Sequence, residues 1–385
     1  MSKWEWKKLK DICEKGSSNI KQSDLKDLTG DYPIFGASGY IQNVDFYQRD
    51  RDYIGIIKDG SGVGRTMLLP AFSSVIGTLQ YILPKEGNDI KFINYALQNI
   101  DFSKSVQGAA IPHIYFKDYG ETEILVSPLS EQKRIVKFLD EEFSKIDTLK
   151  TNAETNLKNA KELFETTLEK ELNPLSRHSE RSEESSAELP SGWEWKTLGD
   201  VCEKISDGSH NPPKGTAANE YKMLSSKNIF NDCLNFDDPR FLTKEEFDLE
   251  NKRTNVKKGD ILLTIVGTIG RCCVFLEDEP VVFQRSVAVL KPNVSLVYSR
   301  FLMYGIIALN IEKLGRGAAQ KGVYLKQLSN ISIPLPPLSV QKEIVARLDK
   351  LSDNVKRLEA NYKQIIANCD ELKKSILKKT FEGES

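Results

Sequence analysis

No apolar run in this 385-residue chain reaches the roughly 18 residues that a membrane-crossing helix needs. The opening MSKWEWKKLK carries no apolar h-region, so no secretion signal is expected there. Six cysteines (Cys13, Cys202, Cys233, Cys272, Cys273 and Cys369) form no CxxC pair and no regular framework. That argues against a disulfide scaffold and for reduced thiols in a cytoplasmic protein. Histidine is scarce: His178 lies in a polar stretch, and His113 and His210 are far apart, so no His/Asp/Ser or metal-ligand cluster is visible. An excess of either charge is also missing, with 54 basic and 55 acidic residues and a net charge of −1. Contact with nucleic acid therefore has to come from local clustering of cations.

What the chain does contain is itself, twice. WEWKKLKDICEKG at 4–16 returns as WEWKTLGDVCEKI at 193–205. VGRTML at 63–68 matches IGRCCV at 269–274, and QGAAIPHIYFK at 107–117 matches RGAAQKGVYLK at 316–326. SPLSEQKRIVKFLD at 127–140 matches PPLSVQKEIVARLD at 336–349. The widening offset places extra residues early in the second copy, around HNPPKG and the acidic stretch Asp237–Glu250. A repeat of this kind marks a duplicated structural unit.

Each copy begins with a mixed, strand-rich region. Tyr53–Ile57, Val75–Leu83, Asp260–Val266 and Val281–Leu290 are β-branched runs bounded by Gly or Pro. Each ends in a long helix, expected to start near Ser130 and Ser339 after prolines. Ile344, Leu348, Leu351, Val355, Leu358 and Ile365 recur at steps of four and three or their sum, and Tyr362, Cys369, Leu372 and Ile376 continue the seam. The equivalent first-copy positions include Ile135, Leu139, Ile146 and Leu149. A helix of that length, roughly 65 Å, cannot bury a narrow stripe alone, and the simplest partner is the other copy. The expected fold is therefore α/β (α+β), with two globular domains and two long helices in an antiparallel coiled coil. The boundaries are a first recognition domain at 1–127, a helical spacer at 128–172, a linker at 173–192, a second domain at 193–336 and a second spacer at 337–381. The linker, rich in Ser, Glu and Arg, is expected to be flexible.

A duplicated globule-plus-rod suits a long ligand with its own repeat, such as duplex DNA read at paired half-sites. Specific segments carry the resemblance further: LPSGWEWKTLGDVCEKISDGSHNPP at 189–213, GDILLTIVGTIGRC at 259–272, FQRSVAVLKP at 283–292, GAAQKGVYLKQLSNISIPLPPLSVQKEIV at 317–345 and VSPLSEQKRIV at 126–136. In these the whole chain resembles the specificity subunits of Type I restriction–modification systems. The resemblance implies two target recognition domains, each reading half of an asymmetric bipartite site, with helices as a ruler. It implies two adenine methyltransferase subunits and restriction subunits as partners, with S-adenosylmethionine, ATP and Mg bound by those partners, no cofactor in this chain, and no catalytic centre. The first copy lacks a DGSHNPP counterpart, so its recognition domain looks shorter and divergent.

Several short motifs invite other chemistry. NPPK at 211–214 lacks the aromatic residue that stacks a flipped adenine, and no Gly-rich cofactor loop precedes it. GSGVGR at 60–65 and GTIGR at 267–271 are not P-loops. Each ends in an arginine, so Arg65 and Arg271 are candidates for DNA contact, with a structural ion pair as the competing role. Gln107, His113, Arg316, Gln320 and Lys321 in the GAA loops are further candidates, set against ordinary loop closure. Lys58, Gln80, Lys227, Gln284 and Arg285 are weaker ones. Glu250-Asn251-Lys252 fits half of a nuclease motif without a partner Asp. Trp4, Trp6, Trp193 and Trp195 recur in both copies and are expected in a core or a subunit interface. The competing functions are a specificity subunit serving a methyltransferase–nuclease fusion, and a coiled-coil scaffold that binds only protein.

Overall fold

The computed structural model describes residues 4–108, 111–173, 189–314 and 322–382. The chain forms two compact units, Met1–Thr155 with Tyr362–Ser385, and Asn156–Asn361. Each contains one globular domain and one stretch of each long helix. The division cuts both helices in mid-length rather than at their ends.

In the first unit, Cys13–Ser17, Leu79–Pro84, Tyr53–Ile57 and Thr66–Leu69 lie side by side in that order as an antiparallel sheet. Tyr53–Ile57 is buried at all five positions, which explains why it reads as a continuous apolar run rather than an alternation. A second sheet orders Gly39–Val44, Tyr32–Gly36 and Ser74–Val75, the last pair parallel. A ribbon pairs Glu5–Lys8 with Glu123–Val126 and ties the start of the domain to its end. Helix α1, Ile90–Gln98, is capped by the Asp89 carboxylate, which accepts from the Lys91 and Phe92 amides. It buries Phe92, Ile93, Ala96 and Leu97. Helix α2, Leu129–Leu172, follows.

The second unit repeats this plan. Its four-stranded sheet runs Cys202–Asp207, Val287–Pro292, Ile261–Thr264, Cys272–Val274. Its three-stranded sheet runs Arg240–Phe241, Lys222–Leu224, Val281–Phe283, again with one parallel pair. Glu194–Thr197 pairs with Ser332–Leu335. The additional residues supply a hairpin, Ile229–Phe230 with Cys233–Leu234, and helix α3, Lys244–Thr254, which a Thr243–Glu246 capping box opens. Helix α4, Ser299–Ala308, and the long α5, Leu338–Glu382, correspond to α1 and α2.

The repeated LSxQK segment has a physical reason. Gln132 and Gln341 are 1% and 0% exposed. Gln132 accepts from the Asp89 amide at 2.7 Å and donates to the Ser127 carbonyl at 2.7 Å. Gln341 accepts from the Tyr298 amide at 2.8 Å and donates to the carbonyls of Leu296 at 3.0 Å and Pro336 at 2.8 Å. One side chain thus satisfies the start of the short helix and the chain entering the long one. Two turns further on, Asp140 takes Lys91 at 2.7 Å and the Tyr95 hydroxyl at 2.6 Å. Asp349 takes Arg300 at 2.7 Å and the Tyr304 hydroxyl at 2.7 Å. Burial works to raise the Asp140 pKa, but the hydrogen bonds from Lys91 and Tyr95 outweigh it, and the net shift is downward.

Within the first unit, Asp147 pairs with Lys373 at 2.5 Å and Lys150 with Asp370 at 2.7 Å, so the helices run antiparallel there. Ile146, Cys369, Leu377 and Phe381 join the core of that domain. In the second unit Leu168 and Leu172 join the core with Ile344 and Leu348, and Glu171 pairs with Arg347 at 2.6 Å. Of the expected seam, Ile135, Leu139, Ile146, Ile344, Leu348 and Val355 are buried, while Leu351 and Ile365 are half-buried. Leu149 and Leu358 are not in a seam: they are 51% and 40% exposed. A strict heptad assumes one partner per helix. Ala153 and Ala160, which continue the first-copy seam, are buried as expected, but each helix also packs on a globular domain, so Phe143 and Leu168 are buried outside it.

Replacing Gln341 by Met keeps its bulk but leaves the Tyr298 amide and the Leu296 and Pro336 carbonyls without their partner. We expect a loss of about 3 kcal/mol in urea unfolding, against less than about 1 kcal/mol for the exposed Gln364→Met.

Candidate nucleic-acid interface

Both Gly-bracketed loops close the same way. In the first unit the Ile57 amide donates to the Arg65 carbonyl at 2.9 Å and the Gly64 amide to the Ile57 carbonyl at 2.9 Å. In the second, the Thr264 amide donates to Arg271 and the Gly270 amide to Thr264, both at 2.9 Å. Gly60 and Gly64 have φ of 97° and 87°, and Gly267 and Gly270 have 81° and 94°. These are left-handed conformations that a side chain would strain, so glycine stands at both hinges of each loop.

In the first unit the residues flanking the GAA segment lie against the Gly-bracketed loop. The Gly60 amide donates to the Pro112 carbonyl at 2.8 Å and the Ile114 amide to Lys58 at 2.9 Å. Gln107 and His113 exchange backbone hydrogen bonds at 2.8 Å each. In the second unit the Val323 amide donates to Ile265 at 2.9 Å. A third turn completes each cluster. The Lys58 amide donates to Thr78 at 3.0 Å and Gly77 to Ile20 at 2.7 Å; Ile265 donates to Ser286 at 2.9 Å and Arg285 to Ser209 at 2.8 Å. Segments remote in sequence therefore converge at one end of the strands of each four-stranded sheet.

The side chains sort as follows. Arg65 is exposed and lies back over Gly62, where there is no side chain to exclude it. Lys58 is half-buried and faces Asp59 at 3.5 Å. Gln107 is exposed and donates to Asp118 at 3.0 Å, and the half-buried His113 meets the Tyr115 ring edge-on at 4.7 Å. Arg285 is exposed and Gln284 half-buried on the adjoining turn. Lys227 is exposed and paired with Asp238. The Arg271 guanidinium sits over the Phe230 ring at 4.9 Å, so its hydrogen-bonding edge rather than its flat face is available. Gln80 departs from expectation. It is 6% exposed and its amide oxygen accepts from the buried Tyr119 hydroxyl at 2.6 Å, so it is a core residue. It points inward because its strand alternates faces and both are covered. Arg316, Gln320 and Lys321 lie outside the described residues.

One constellation escaped the sequence. The Asp207 carboxylate binds Arg253 through Oδ1 at 2.5 Å and His210 Nε2 through Oδ2 at 2.6 Å. Burial favours the protonated acid, yet these two hydrogen bonds outweigh it and hold the Asp207 pKa below the ordinary carboxylate value. The DGSH spacing offered half the signal. Arg253 arrives from α3, 46 positions away, and nothing local announces it.

Trp4 and Trp193 pack on the domain cores, while Trp6 and Trp195 are exposed on the ribbons. Glu250 and Lys252 lie on α3, and among the described residues no three His, Cys, Asp or Glu side chains group to hold a metal. No described helix is long and apolar enough to cross a membrane.

The model of the Type I restriction modification DNA specificity domain matches residues 1–159 and again 190–367. The Type I restriction enzyme EcoBI specificity subunit of Escherichia coli is 26% identical over 294 residues, covering 73% of this chain and 62% of that protein. The MjaVIII specificity subunit of Methanocaldococcus jannaschii is 25% identical over 406 residues, covering 99% and 92%. Among solved structures, a chain from a study of complex assembly and conformational transition of the type I R-M system superposes with a TM-score of 0.71 at 21% identity, over 98% of this chain and 97% of that one. The HsdS subunit from Thermoanaerobacter tengcongensis gives 0.56 at 21% identity, over 99% and 97%.

Arg65→Ala and Arg285→Ala are each expected to flatten the slope of log affinity against log salt by about 0.9 on a random-sequence duplex. Gln80→Asn, inside the core, is expected to leave that slope unchanged while lowering thermal stability.

Proposed function

The chain belongs to the Type I restriction modification DNA specificity family, and from that premise we propose that it reads duplex DNA for a restriction–modification complex. The observation that carries this reading is the twice-built loop cluster: one backbone frame, two different sets of side chains. Lys58, Arg65 and Gln107 edge one cluster; Gln284, Arg285 and Arg271 edge the other. Identical frames with different contents read different half-sites, which makes the target asymmetric and bipartite. Because phosphate contacts position and base contacts specify, the arginines beside glycine turns serve both purposes. Catalysis belongs to the partner subunits.

Two equal docking surfaces support two methyltransferase subunits. Leu149 and Leu372 are exposed on the helices of the first unit, and Leu163 and Leu358 on those of the second. Leu149 and Leu358 are equivalent positions in the repeat, as are Leu163 and Leu372. Trp195 walls a groove with Leu172, Phe301 and Ile333, and Trp6 walls another with Ile100, Leu125 and Phe381. Apolar surface repeated at matched positions suits two copies of one partner. In this reading S-adenosylmethionine serves the methyltransferases, ATP and Mg serve the restriction subunits, and this chain holds no cofactor.

Mapping methylated adenines in DNA from cells that carry the intact system tests the reading. Two unlike half-sites separated by an unspecified gap are expected; a continuous palindrome would overturn it. Lengthening the spacer helices by one heptad is expected to change the gap and leave both half-sites intact.

A further inference from the structure

His210 is exposed to solvent and yet held by a buried group. Its side chain is 53% exposed, yet Nε2 is held at 2.6 Å by a carboxylate that is itself buried. Behind Asp207, Arg253 donates twice, from Nη2 to Oδ1 at 2.5 Å and from Nε to the Asp207 main-chain oxygen at 2.8 Å. The backbone around it is equally constrained, with the Ser209 amide on Phe283 and the Arg285 amide on Ser209, both at 2.8 Å. His210 therefore emerges beside Gln284 and Arg285, on the face of the loop cluster.

The repeat supplies an independent pointer. The Gly77-to-Ile20 hydrogen bond of the first unit matches the Arg285-to-Ser209 bond of the second, so the residue after Ile20, the exposed Lys21, occupies the His210 place. Both units put a hydrogen-bonding side chain there, but a lysine can only donate. In the second unit an ionised carboxylate accepts from Nε2–H, which selects that tautomer of the neutral ring, and in it Nδ1 keeps a lone pair. No protein partner meets Nδ1 among the described residues. An acceptor on a recognition surface selects bases that offer a donor in the major groove: the N6 amino group of adenine or the N4 amino group of cytosine.

We propose that His210 reads one exocyclic amino group in the half-site bound by the second unit, with Asp207 and Arg253 as positioning residues that fix its ring and tautomer. This rests on the DNA-reading function proposed above and adds to it a residue, a base class and a mechanism.

Asp207→Asn separates this from a structural role. Arg253 demands an acceptor, so the asparagine oxygen turns to it and the amide NH₂ faces His210. Nε2 then accepts, the proton moves to Nδ1, and the ring presents a donor. The experiment maps methylated adenines in cells carrying the full system with wild type, His210→Ala or Asp207→Asn, and measures thermal unfolding of each complex. His210→Ala is expected to relax one position of one half-site, from adenine or cytosine to any base, with a discrimination loss of about tenfold. Asp207→Asn is expected to shift that position toward guanine or thymine. Unchanged motifs in both variants would overturn the proposal, as would equal loss at both half-sites with lowered thermal stability. A wild-type motif that is not bipartite would overturn the DNA-reading function itself.

Discussion

Each recognition domain is joined to its long helix by one buried glutamine. An amide that donates and accepts at once, inside a dry junction, leaves little angular freedom, because any rotation strands a backbone group at about 1–3 kcal/mol. Gln132 and Gln341 fill this place. A second anchor lies eight residues along the same helix face, where Asp140 and Asp349 each hold a tyrosine and a cation from the short helix. One anchor sets the contact and two set its direction. Fixed direction is what the proposed reading of two separated half-sites would require.

That constraint also explains what the sequence made legible. The repeated segments WEW and LSxQK, together with the Gly-bracketed turns that recur in altered form, are the frame, and the repeat alone exposed them. The strand-rich character of Tyr53–Ile57 and the length of both helices followed from composition and period. The helix seam was only partly readable. A heptad count has no knowledge of a second packing partner, so it buried Leu149 and Leu358 and missed Phe143 and Leu168. Side-chain direction was less readable still. Gln80 sits among apolar strand residues covered on both faces, and Arg271 lies over a phenylalanine 41 positions away. Neither contact leaves a local trace.

The two copies diverge where the frame permits it. The first Gly-bracketed loop is one residue longer than the second, yet both close with the same pair of backbone bonds. The additional sequence of the second copy enters at two places, the hairpin between Lys222–Leu224 and Arg240–Phe241 and α3 between Arg240–Phe241 and Ile261–Thr264, without altering strand order. It brings α3, and with it Arg253, to the carboxylate behind His210. An insertion that leaves the scaffold unchanged and adds one partner to one surface residue is a low-cost way to change what a surface recognises.

The balanced charge of the chain then has a definite consequence. Affinity for duplex DNA grows with the number of phosphates neutralised, and each cluster here displays few cations, some already compensated: Lys58 faces Asp59 and Lys227 faces Asp238. Such a surface discriminates better than it grips. With 54 basic and 55 acidic residues, the chain's net charge adds no general attraction to DNA. In the proposed complex, positive charge on the partner subunits would supply the grip that this chain's clusters lack. Recognition and affinity would then be divided between chains.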